Sequence, residues 1–208
     1  LTRLGDRNLN TLGLLYDQTG RLHYVCDDLS HTTVRLSYDT QHPKRVSQVE
    51  RLYIKLGNDP QIEHTEVLAS YRYTQSGQLQ EVLDATGQVL RSFTYTAHGY
   101  LGSHTLPSGA TRQYQWQRFE VPAQRPQSVR ADGSLCNFPP LLEPLPDHEW
   151  RVIRHWGSDG EDYRFDYDLE KGETRVTDSL GRQDHYYWGP FYEIYKHIDP
   201  MGHCWQDD

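Results

Sequence analysis

Cysteine is scarce in this 208-residue sequence. There are three, Cys26, Cys136 and Cys204, an odd number with no C-x-x-C pair. That argues against a disulfide framework, and the three read as free thiols from a reducing compartment. Positive charge is short as well: 21 Lys and Arg stand against 29 Asp and Glu, a net charge of −8. A sequence-independent nucleic-acid binder needs a basic stripe, so no nucleic-acid partner is expected. No run approaches about 18 apolar residues, which leaves no membrane span. No basic-then-apolar signal segment opens the chain, which begins at Leu1 rather than Met and reads as an excised piece. Apolar residues are also few, at 36%, and 15 residues of that set are Tyr. A core of this kind must rest on amphipathic rings, which suit thin sheets with the ring packed and the hydroxyl wet.

What the sequence does have is a repeat. Tyr16-Asp17 and Tyr38-Asp39 lie 22 residues apart, as do Tyr73 and Tyr95; Trp116 follows 21 later. Tyr167-Asp168 and Trp188 keep the same step of 21. Turns repeat alongside the rings: Asp17-Gln-Thr-Gly20, Asp84-Ala-Thr-Gly87, Asp178-Ser-Leu-Gly181 and Asp199-Pro-Met-Gly202 share the form D-x-x-G, while Gly77, Gly87, Gly99 and Gly109 step by 10, 12 and 10. An Asp side chain accepts from a backbone N–H two residues on, and the Gly supplies the left-handed position that closes a tight turn. Between turns lie short alternating runs such as Leu79–Leu83, Arg91–Tyr95 and Thr111–Trp116. Each unit is therefore expected to be two short antiparallel strands and two turns. One hairpin cannot bury its apolar face, but stacked hairpins make a sheet. The expected fold is all-β: serial antiparallel hairpins in a long, curved, twisted sheet.

Two stretches break the period. Arg45–Leu56 and Gln61–Tyr73 read as a long hairpin near 44–73, turning at Gly57-Asn-Asp-Pro60, with a bulge where the alternation slips between Ile62 and Val67. The second, 118–148, contains six prolines and reads as an irregular connection, because Pro cannot donate to a ladder. It separates an N-terminal array (1–117) from a C-terminal one (149–208).

The unit Tyr16-Asp-Gln-Thr-Gly-Arg-Leu22 resembles the YD repeat of the Rhs family, Y-D-x-x-G-R-L. Tyr73–Leu79 and Tyr95–Leu101 resemble degenerate copies of it. Asp178–Arg182 and Asp199–Gly202 resemble the D-P-x-G-R turn between copies. The likeness touches about two thirds of the chain and leaves 41–66 and 118–148 uncovered. It implies a segment of a spiralling β-cocoon shell that holds a variable C-terminal toxin, made in the cytoplasm and exported, in many bacterial members through type VI secretion. The implied partners are the remainder of the same shell and its toxin, with secretion-apparatus spike or chaperone proteins as further candidates. In this reading Tyr16, Tyr38, Tyr73, Tyr95 and Tyr167 form a packing ladder. Asp17, Asp39, Asp84, Asp168, Asp178 and Asp199 set turns, and Gly20, Gly77, Gly87, Gly99, Gly181 and Gly202 close them.

Chemistry is expected to be absent. Six candidate ligands (His148, His155, His185, His197, His203 and Cys204) fall in one half without H-x-x-x-H or C-x-x-C spacing, so no metal or cofactor is assigned. The acids Asp159, Glu161, Asp162, Asp166 and Asp168 have no recognised catalytic partner, and no G-x-S-x-G motif occurs. Asp199-Pro-Met-Gly202 matches part of a shell self-cleavage motif, but its recurrence 21 residues after Asp178–Gly181 reads as a repeat turn. The one weak binding candidate is the aromatic patch Tyr186, Tyr187, Trp188, Phe191, Tyr192 and Tyr195. Sugar faces stack on such rings, which gives the alternative reading: an extracellular YD-repeat adhesin or carbohydrate- or receptor-binding module.

Overall fold

A computed structural model describes residues 2–8, 10–27, 32–55, 61–138 and 146–206. The expected turn at 57–60 lies outside them. Described residues form strands, turns and irregular connections, with no helix and so none long and apolar enough to cross a membrane. The chain divides into two compact units, 1–94 with 105–109 and 95–104 with 110–208. Both breaks in the repeat fall inside these units.

The N-terminal strands are β1 (Arg3–Gly5), β2 (Thr11–Tyr16), β3 (Leu22–Asp27), β4 (Thr33–Tyr38), β5 (Val46–Lys55), β6 (Gln61–Tyr73), β7 (Leu79–Leu83) and β8 (Val89–Tyr95). The C-terminal strands are β9 (Leu101–Thr105), β10 (Thr111–Glu120), β11 (His148–Gly157), β12 (Asp162–Asp168), β13 (Glu173–Thr177), β14 (Gln183–Trp188), β15 (Ile194–Ile198) and β16 (Cys204–Gln206). Within each unit the strands pair in sequence order, without a crossover. The architecture is all-β and serially antiparallel.

The corners explain the order. At Asp17 the backbone N–H donates to the Arg21 carbonyl (2.8 Å), and Gly20 N–H donates back to the Asp17 carbonyl (3.0 Å). Asp17 Oδ1 accepts from the backbone of Thr19 and Arg21, at 2.8 and 3.0 Å. Asp84, Asp178 and Asp199 repeat this double acceptance from residues two and four further on. The fourth residue of each corner has φ near 80°, which a β-carbon disfavours. A turn this local leaves the next strand little choice but to fold back on the last.

The long hairpin β5–β6 contains two bulges rather than one. Val49 pairs with Ala69 and Glu50 with Val67, so Leu68 is the extra residue; Tyr53 pairs with His64 and Ile54 with Ile62, so Glu63 is another. The slip in alternation comes from these two insertions. The proline-rich connection leaves from β10 and returns to β11, and these two strands pair directly from Arg112–Gly157 to Glu120–His148. Val121 N–H donates to the Asp147 carbonyl at its base. The connection is thus an excursion from a hairpin.

Burial is thin, as ring-rich sheets require. Leu14, Leu52 and Leu83 are buried in the first unit, Leu169 and Trp188 in the second. Register gives β12–β15 two unlike faces. Phe165, Val176 and Asp184 share one with Tyr167, Thr174, Tyr186 and His197; Asp166, Arg175, His185, Glu173 and Lys196 lie on the other.

Candidate functional site

Three of the five repeat tyrosines, Tyr38, Tyr73 and Tyr167, pin their strand to the one before. Tyr38 Oη donates to the Leu22 carbonyl (2.6 Å), Tyr73 Oη to the Val46 carbonyl (2.6 Å) and Tyr167 Oη to the Val152 carbonyl (2.8 Å). Trp116 does the same through Nε1 to the Leu101 carbonyl (2.7 Å), and Trp188 through Nε1 to Thr174 Oγ1 (3.0 Å). Each ring reaches back to the strand before, and all but Trp116, which lies mid-strand in β10, sit at or near the end of their strand. At Tyr38, Tyr73, Trp116 and Trp188 the strand that follows carries one extra residue (Ser47, Gln80, Ile153 and Tyr195). Such a bulge re-aims a side chain, which here leans the ring over the preceding strand. Tyr16 is also at a bulge and is largely exposed. Tyr95 ends β8.

Alternate corners share a sheet edge, and on one edge of the first unit the Asp17, Asp39 and Thr74 corners touch. Arg21 donates to the Pro43 carbonyl of the Asp39 corner (2.7 Å), and His42 Nε2 meets the Gln75 carbonyl of the next (3.2 Å). Asp39 accepts from the backbone of Gln41 and His42 and contacts His42 Nδ1, while Asp168 accepts from both Lys171 N and Nζ. At Thr74 and Thr96 the Oγ1 replaces the missing carboxylate, accepting from Gln78 and Tyr100; the side chain changed while the corner survived.

The corner carboxylates are acid-sensitive. The Thr19 hydroxyl holds Asp17 well below the ordinary range, the Thr86 hydroxyl lowers Asp84, and His203 lowers Asp199. A carboxylate depressed in the folded state contributes stability that is complete above the unfolded value of about 4 and is lost as pH falls through the folded value. The melting temperature should therefore hold from pH 7 to 5 and fall between about pH 4 and 2. An Asp17→Asn/Asp84→Asn/Asp199→Asn variant should show a shallower fall in calorimetry, and an equal fall would remove the corners from the account.

On one face of the C-terminal unit the rings line an open basin of about 480 Å³. Its walls include Tyr163, Phe165, Tyr167, Tyr186, Trp188, Tyr192 and Arg151. The Arg151 guanidinium lies 4.9, 4.8 and 5.1 Å from the Tyr167, Trp188 and Tyr192 ring centres. Glu149 accepts from Arg151 Nε and, through its other oxygen, from Tyr192 Oη, both at 2.6 Å. Burial raises the phenol pKa of Tyr167, Tyr186 and Tyr192, so these hydroxyls stay protonated at neutral pH. The arrangement is a satisfied packing network, in which acid and base already hold each other.

The sequence-predicted patch is divided. Tyr186, Trp188 and Tyr192 line the basin, with Tyr186 stacked on His197 at 4.4 Å. Tyr187 points to the opposite face beneath Lys196, Tyr195 is the extra residue of a bulge, and Phe191 packs on Phe138. Alternation along β14 makes this split unavoidable. His185, His197 and His203 each face a carboxylate, of Glu173, Asp184 and Asp199. Among the described residues no three His, Cys, Asp or Glu side chains gather as a metal-binding group. Cys26 and Cys136 are half-buried thiols and Cys204 is exposed. Sequence reasoning missed Glu149, Arg151 and Tyr192's backbone. Tyr192 occupies the left-handed corner position (φ 62°) that glycine holds elsewhere, with its N–H on the Gly189 carbonyl.

Comparison with known proteins supplies the remaining observation. Over 145 residues, 69% of this chain, it is 29% identical to Double-stranded DNA deaminase toxin A of Burkholderia cenocepacia. Over 141 residues, 60% of the chain, it is 30% identical to Toxin protein Tse5 of Pseudomonas aeruginosa. Both matches are consistent with the Rhs/YD-repeat family. This YD-repeat segment spans only 8% and 11% of the length of those two toxins. No family model matches it. Among solved structures, the TcdB2–TccC3–Cdc42 crystal structure overlays 93% of this chain and 12% of its own, at TM-score 0.34 and 11% identity. The segment is of a toxin-associated repeat type.

Proposed function

We propose that this YD-repeat segment is a length of wall in a shell that encloses a toxic region of the same exported protein and delivers it in competition between bacteria. It carries no reaction of its own. Its partners are the neighbouring wall and the enclosed toxin, with secretion-apparatus or chaperone proteins outside. The observation that supports this most is the pinned corner unit. Local corners, most of them closed by an Asp or Thr oxygen, fix the hairpins, and five rings tie a strand to the strand before it, so the wall lengthens by adding units without redesign. The similarity to two toxins supports reading the enclosed region as toxic.

Limited proteolysis of the whole protein tests the reading. The toxic region should resist digestion in the intact protein and be cut at least about tenfold faster once the wall is unfolded by mild denaturant. Equal cutting in both conditions would contradict enclosure. Glycan-array binding, abolished by Trp188→Ala, would instead favour the adhesin reading.

A further inference from the structure

In the C-terminal unit the described strands pair only with the strands before and after them, and side chains add two longer reaches, Arg151 of β11 to the Trp188 ring of β14 and Phe119 of β10 to Tyr167 of β12. An array built on nearest-neighbour contacts opens in steps, because each unit depends only on its immediate supports. The proline-rich excursion departs from that rule. Ser128, only 1% exposed, donates its hydroxyl to the Glu193 carboxylate, 65 residues further on. Arg125 donates to the Pro190 carbonyl (2.5 Å) and lies 4.4 Å from the Tyr192 ring centre. Pro126 is packed against Gly172, and Gln206 of β16 donates to the Val129 carbonyl (2.8 Å). These contacts join residues at the β10–β11 turn to the start of β13, the β14–β15 corner and the last strand.

We propose that residues 121–138 are a clasp that makes β12–β16 open in one step instead of strand by strand. The left-handed Tyr192 fits this role. Its backbone geometry costs energy in a non-glycine residue, and it is held by Arg125 from the clasp and by Glu149 from β11. Strain persists only where surroundings fix it, so the β14–β15 corner keeps its shape because the clasp is closed.

Native-state hydrogen exchange at increasing urea reads this directly. In the unaltered protein the slowest amides of β12, β13, β14 and β15 should converge on one opening reaction. In Arg125→Ala/Ser128→Ala, the β14–β16 amides should exchange at least about tenfold faster while those of β12 and β13 keep their rates. Ser128→Ala alone, the milder change, should give the same division at smaller amplitude. Uniform acceleration of all strands, or no acceleration in β14–β16, would overturn the clasp.

Discussion

Gly172→Val should be among the most damaging single changes in the protein, lowering stability by at least about 4 kcal/mol in urea unfolding. Gly172 is buried, has φ 66°, and its carbonyl accepts from Trp188 N–H at 2.8 Å. A β-carbon there would collide with the Trp188 carbonyl and the Pro126 ring. One obstacle is backbone and the other is a rigid ring, so neither can swing away. Gly181→Val is the matched control. Its φ of 78° is equally unfavourable, but nothing lies within 4 Å of the β-carbon position. That change should cost only the conformational penalty, about 1–2 kcal/mol. Equal losses at the two sites would mean that the packing of the excursion against β13 contributes nothing.

Trp188→Ala should cost about 3–5 kcal/mol, the range for removing a buried indole. Trp188 is 6% exposed, ties β14 to β13 through Thr174 Oγ1, and forms one wall of the box around Arg151. Its loss leaves the hydrogen-bonded Arg151 and Glu149 pair facing a cavity. Tyr187→Ala, one residue earlier on the opposite face, should cost clearly less. Thermal unfolding of the two variants compares the faces without reference to any ligand. A larger loss at Tyr187 would reverse the assignment of inside and outside on β14.

The corners are legible in the sequence because they are local. D-x-x-G names both the acceptor and the left-handed residue, and Leu79–Leu83, between the Thr74–Gly77 and Asp84–Gly87 corners, can only be a short strand. The pins are half-legible: the spacing from Tyr16 to Tyr38 announces a ring per unit, but not that the hydroxyl crosses to the preceding strand. At Tyr38 and Tyr73 a bulge in the following strand accompanies that contact and leaves no local signal, while Tyr167 makes it without one. The Gly189–Glu193 corner was hidden because Tyr192 stands where a glycine marks its counterparts. The excursion was hidden for another reason. Its prolines declare that it is no central strand, but the partners of Arg125 and Ser128 lie 65 residues away. The aromatic patch is dense in sequence and divided in space, since neighbours along a strand face opposite ways.

Electron cryomicroscopy of the whole protein tests the central claim most directly. The account predicts that these strands appear as consecutive rungs of a continuous wall bordering an internal volume that holds the toxic region. Density showing this segment as a separate module outside such a wall, or a toxic region open to solvent, would contradict it.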